Sequence, residues 1–108
     1  MGFDKKATKD DIQRIIKANA AAAAMARDTG FDAVEVHFGH NYLVGSFLSP
    51  LLNKRKDEFG GSLANRAEFG RRILAAIREE VGDDLAVLVK MNMADGVKGG
   101  FWLDESIP

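Results

Sequence analysis

Residues Val34–Tyr42 read V-E-V-H-F-G-H-N-Y. The alternation across Phe31–Phe38 predicts a strand, with Val34, Val36 and Phe38 on one face and Ala33, Glu35 and His37 on the other. One face is apolar and packs on helices. The other is polar and must look into water or into a functional cavity. The strand runs out at His37, and within six positions the chain supplies two imidazoles and a phenol, His37, His40 and Tyr42. Proton donors and acceptors thus gather where a strand gives way to a loop.

Upstream of this stretch, Thr8 to Arg27 predicts a helix. Thr8 is the N-cap, and Asp10 and Asp11 sit in a first turn that favours acids. Ile12, Ile15, Ile16, Ala22, Ala23 and Ala26 form its apolar stripe, and Gly30 ends it. The small side chains of Ala20–Ala24 suit close packing on a sheet. Downstream, Asn41 to Gly61 is a long connection of the kind that is functional or carries local structure. Any helix begun over Leu43–Leu48 is broken at Ser49-Pro50. Ser62 caps a helix over Leu63–Val81, with Phe69, Ile73, Ala76, Ile77 and Val81 on its inner stripe and Gly82 at its end. Leu85–Asn92 predicts a second strand. Val87, Val89 and Met91 lie on one face, and Ala86, Leu88, Lys90 and Asn92 on the other. Ala94–Phe101 is a Gly-rich loop, and Leu103-Asp104-Glu105-Ser106 is the first turn of another helix.

Helices alternating with strands imply crossover connections and a parallel sheet. Two parallel strands leave unpaired edges and an uncovered face, so the pattern asks for further strands. The expectation is a piece of a larger α/β architecture spanning residues 1–108. Polar groups at strand C-terminal ends suit a (β/α)8 barrel and suit a doubly wound sheet nearly as well.

Composition narrows the function classes. With 46% hydrophobic and 29% charged residues the chain is globular rather than disordered, and its net charge of −1 gives no footprint for nucleic acid. The absence of cysteine excludes disulfides, thiolate metal sites and a cysteine nucleophile. Ala20–Met25 is too short to span a bilayer, and M-G-F-D-K-K contains no signal-peptide hydrophobic region, so a cytoplasmic location is the default.

Three readings of His37 and His40 stand at this level. Both rings can converge on one small group and donate hydrogen bonds to a carbonyl or phenolate oxygen as charge develops there. They can form a metal pair, which needs further ligands, and Glu35 and Asp95 are the available carboxylates. They can also be ordinary histidines satisfied by backbone groups. Tyr42 is either a general acid or a packed aromatic with a wet hydroxyl. Lys90 either holds an anionic group or lies on an exposed edge with its ammonium in water. Asn53, Arg55, Asp57, Asn65 and Arg66 read as a structural network, with a carboxylate between two guanidinium groups fixing the long loop. Gly96, Gly99 and Gly100 match neither a dinucleotide fingerprint nor a P-loop.

The run G-F-D-A-V-E-V-H-F-G-H-N-Y-L-V-G-S-F-L-S-P-L-L-N-K-R-K-D-E-F-G-G-S-L-A-N-R, residues 30–66, resembles the central signature of the old yellow enzyme family. These are FMN-dependent NAD(P)H:flavin oxidoreductases and ene-reductases built on (β/α)8 barrels. The resemblance extends from about Thr8 to the C-terminus and covers the third helix through the fifth strand of such a TIM barrel. It implies a fragment, since a complete barrel takes about 250 residues. It implies FMN as cofactor, NADH or NADPH as reductant, and an activated alkene or phenolic ligand as the small-molecule partner. By position, His37 and His40 correspond to the pair that binds the substrate's activating carbonyl or a phenol over the flavin, with His37 also beside the cofactor. Tyr42 corresponds to the tyrosine that protonates the substrate carbon. Lys90 corresponds to the basic residue, commonly arginine, that faces flavin N1 and the C2 oxygen, and Phe59 stands where tyrosine is common. The open sheet implies partners of its own: complementing barrel segments, or further copies in a self-associating fragment without enzymatic activity. A metal-dependent lyase or hydrolase built on the two histidines is a further, separate reading.

Overall fold

Thr8 opens the first helix as the sequence predicts. In the computed structural model, which describes residues 6–106, this helix, α1, runs Lys9–Asp28. The Asp11 N–H donates to Thr8 Oγ1 at 3.1 Å and the Thr8 N–H donates to the Asp11 carboxylate at 3.0 Å, a reciprocal capping box. The helix ends at Thr29, and Gly30 follows with φ 90°, a conformation that favours glycine. The ends of the expected 1–108 span, residues 1–5 and 107–108, lie outside the described residues.

Strand β1 is Ala33–His37 and strand β2 is Ala86–Lys90. They pair in parallel, in a register running from Ala33 opposite Ala86 to His37 opposite Lys90. Both are shorter than the alternation predicts. Phe31 lies outside the ladder and is exposed, while Leu85 precedes β2 and is buried. The face assignment of β1 holds: Val34 and Val36 pack against the core, Phe38 is buried, and Ala33, Glu35 and His37 are exposed. In β2, Val87 packs against the core, but Leu88 and Val89 are exposed on both faces, as is Met91 just beyond the strand. Apolar residues on both faces are what a parallel strand carries when it is covered on both sides.

Between the strands, the long connection forms the short helix α2 over Leu43–Leu48, which stops before Pro50. Helix α3 then runs Leu63–Val81, between the N-cap at Ser62 and the C-cap at Gly82. Its Phe69, Ile73, Ile77 and Val81 are buried and Ala76 is half-buried. A one-turn helix, α4, spans Leu103–Ser106.

Helix α1 packs along α3 and also touches β1. Ala22, expected on the inner stripe, is exposed, while Ala23 is buried. Ile12, Ile16 and Ala23 of α1 join Phe38, Val44, Phe47, Phe59, Phe69 and Ile73 in one core.

The polar network of the long connection forms, with one partner exchanged. Buried Asn53 donates to the carbonyls of Phe47 and Phe59, both at 2.7 Å, and accepts from the Arg55 N–H at 3.0 Å. Arg55 grips Asp57 with two parallel bonds of 3.0 and 2.6 Å and donates to the Ala7 carbonyl. This fork, with the Phe59 N–H, holds the Asp57 carboxyl down at about 2 from its ordinary 3.8, despite an opposing contribution from burial. Asp57 is bonded to one guanidinium rather than lying between two. Arg66 is buried and pairs instead with Glu105, while donating to the Leu48 and Gly61 carbonyls. Glu105 is 39 positions away, a distance at which sequence spacing gives no guide. Among the described residues no helix is long and apolar enough to cross a membrane.

Candidate functional site

The site forms where β1 ends. Phe38 is buried, and its N–H donates to the Lys90 carbonyl at 2.7 Å, carrying the ladder one residue beyond His37. The chain then turns sharply: His40 and Asn41 both adopt left-handed backbone angles, with φ of 57° and 53°. Such conformations are uncommon away from glycine and need surrounding contacts to hold them. Here the His40 N–H donates to the Asn92 side-chain oxygen at 2.9 Å, and the Tyr42 N–H donates to the Gly39 carbonyl at 3.3 Å.

The turn folds His40 back toward His37, and the imidazole centroids lie 5.0 Å apart. The Tyr42 ring lies 5.9 Å from that of His37 and 6.3 Å from that of His40. All three side chains are exposed, Tyr42 at 68%. Tyr42 is therefore not packed as a core aromatic. Lys90 stands opposite His37 in the parallel register, is also exposed, and makes no ion pair among the described residues. Its ammonium lies in water in this chain.

Two close approaches explain the small residues here. A Cβ on Gly39 would lie 3.2 Å from His37 Cε1 and 3.3 Å from Asn92 Oδ1. A Cβ on Gly45 would lie 2.8 Å from the Phe38 carbonyl oxygen, so a side chain there would push α2 off the strand end. The loop after β2 is tied to the same region. Ser49 Oγ donates to Asp95 Oδ2 at 2.6 Å, the Phe101 N–H donates to the same oxygen at 2.8 Å, and the Asp95 N–H donates to the Phe101 carbonyl at 2.8 Å.

Chemically, the cluster offers two imidazoles and a phenol that face one small space, with a primary ammonium on the adjacent strand. Asp95 is committed to Ser49 and Phe101. Among the described residues no group of three or more histidine, aspartate or glutamate side chains could hold a metal ion. From the sequence alone Asn92 has a face but no role, and Asp95 is only a candidate metal ligand. Asn92 fastens the loop after β2 to the loop after β1, and Asp95 fastens it to Ser49 at the end of α2. The only signal in the sequence was a pair of polar side chains just past the end of a strand.

The model of the NADH:flavin oxidoreductase / NADH oxidase family matches residues 1–106. The chain is 51% identical over 108 residues, its whole length, to the 4,4'-dithiodibutanoate disulfide reductase of Rhodococcus erythropolis, covering 27% of that protein. It is 45% identical over 96 residues, 89% of its length, to an NADPH dehydrogenase of Clostridium acetobutylicum, covering 28% of that protein. The chain thus spans little more than a quarter of the length of these two relatives. Among solved structures, the 2-naphthoyl-CoA reductase in complex with 2-naphthoyl-CoA superposes with a TM-score of 0.90 at 42% identity. That alignment covers 94% of this chain and 15% of the other. The architecture is accordingly that of part of a TIM-barrel flavoenzyme.

Proposed function

The chain belongs to the NADH:flavin oxidoreductase / NADH oxidase family, and from that premise we propose that it supplies the substrate-facing rim of an FMN-dependent oxidoreductase of the ene-reductase type. The observation that carries the reading is the convergence of His37, His40 and Tyr42 at the C-terminal end of β1, beside Lys90. Catalytic groups of barrel enzymes occupy that end of the strands.

The donor set fits a flavin. An ammonium without an ion-pair partner among the described residues suits the electron-rich edge of the isoalloxazine, and exposed polar groups around it suit a planar ring with carbonyl edges. Lys90 and His37 would hold FMN. When bound, FMN supplies hydride acceptance from NADH or NADPH and hydride donation to the substrate. The residues of this chain do the rest. His37 and His40 donate hydrogen bonds to the carbonyl oxygen that activates the alkene and stabilise negative charge as it develops there. The Tyr42 hydroxyl delivers a proton to the carbon that did not receive hydride, and its exposure lets water restore that proton. Lys90 would supply positive charge toward the bound cofactor.

The test is kinetic. In a complete flavin-loaded barrel carrying this segment, His37→Ala and His40→Ala each weaken binding of a para-substituted phenol about ten-fold. Tyr42→Phe slows alkene reduction by roughly 10²-fold or more while NAD(P)H consumption in the reductive half-reaction is unchanged. Unaltered phenol binding in both histidine variants sinks the reading.

The exposed Leu88, Val89 and Met91 support a second reading for the chain by itself, as a non-enzymatic module whose copies associate through the open sheet. Sedimentation decides it: a folded monomer at low micromolar concentration removes it.

A further inference from the structure

We propose that Asn92 is a positioning residue that sets the separation of the two imidazoles through the backbone of His40. The inference rests on the reading of His37 and His40 as a substrate-binding pair, but its central claim is structural and can be tested apart from it. His40 and Asn41 are consecutive left-handed residues, and neither is glycine. The Asn92 side chain reaches across from just beyond β2 to accept the His40 N–H at 2.9 Å. The same oxygen lies within 3.3 Å of where a Cβ on Gly39 would stand, so glycine at 39 leaves it room. The strand carrying Lys90 thereby fixes the turn that carries His40.

A carbonyl or phenolate oxygen can be held by both rings at once only while that turn is kept. Without the acceptor, His40 relaxes toward the right-handed basin and its ring leaves His37. A second tie of the loop after β2, Ser49 to Asp95, anchors the far end of α2, and its hydrogen bonds do not involve His40. It is the natural control for a purely structural role.

The experiment uses the flavin-loaded barrel with the His40 amide assigned by NMR. Asn92→Leu, close in size but without an acceptor, shifts the His40 amide proton upfield and speeds its exchange roughly two- to ten-fold, the reach of one net hydrogen bond. Affinity for a para-substituted phenol falls by a similar factor while FMN affinity is unchanged. Asn92→Asp keeps an acceptor in place and retains the amide signature. Ser49→Ala lowers stability without moving it. A His40 amide unchanged in Asn92→Leu, or lost in Asn92→Asp, overturns the proposal. If Asn92→Leu does not fold, the wild-type amide decides: a small temperature coefficient supports the bond and a large one refutes it. Absence of phenol binding by the wild type refutes the substrate-site reading instead and leaves the amide result to judge Asn92.

Discussion

Replacing Asn53 by alanine removes three hydrogen bonds at once from the interior of the long connection. Two run to the carbonyls of Phe47 and Phe59 at 2.7 Å, and the third accepts the Arg55 N–H at 3.0 Å. Phe47 lies in the last turn of α2, where helix carbonyls lack intrahelical partners, so Asn53 acts as that helix's C-terminal cap through the side chain. At about 1 kcal/mol net per hydrogen bond the substitution costs about 3 kcal/mol, and more if the orphaned carbonyls stay dry. That is a large share of the 5–15 kcal/mol typical of a domain. Urea unfolding with an m-value of roughly 1–3 kcal/mol/M therefore shifts its midpoint down by about 1–3 M. Asn53→Asp keeps the acceptor for Arg55 but faces two carbonyl oxygens with a carboxylate, so it fares no better at pH 7. A midpoint loss below about 0.5 M for Asn53→Ala at unchanged m-value would refute the account of this residue as the loop's central tie.

The Asp57 carboxyl, held at about 2 by the Arg55 fork, contributes stability that is fully present above its ordinary 3.8 and lost as pH falls toward 2. The contribution is roughly 1–2 kcal/mol after allowance for its partial exposure, and Asp57→Asn removes that part of the acid dependence in urea midpoints measured from pH 6 to pH 2. Gly45→Ala drives a methyl to 2.8 Å from the Phe38 carbonyl, so overpacking costs about 1–3 kcal/mol and displaces Tyr42 at the start of α2. Thermal unfolding measures the first effect, and a fall in alkene turnover with FMN affinity unchanged measures the second.

Much of this architecture is legible locally. Thr8 with Asp11, Ser62 and Gly82 carry their own helix boundaries, because caps act over three or four positions. The alternation from Val34 to Phe38 carries the strand and its faces. The spacing of His37, His40 and Tyr42 allowed convergence without requiring it, since the turn that brings them together depends on left-handed angles at residues other than glycine. What fixes the turn comes from Asn92, 52 positions beyond His40, and Arg66 finds Glu105 across 39. No periodicity reports such pairs. The exposure of Ala22 was hidden for a related reason: a helical stripe marks an apolar face but not whether a sheet or a neighbouring helix covers it.

The central claim is that His37 and His40 receive a substrate oxygen together, above a flavin held beside Lys90. A crystal structure of the FMN-loaded barrel soaked with a para-substituted phenol tests it most directly. The account predicts the phenol oxygen within about 2.7–3.2 Å of a nitrogen on each imidazole, with Lys90 turned toward the flavin. A phenol bound elsewhere, or imidazoles both engaged by backbone groups while the phenol occupies the rim, would contradict it.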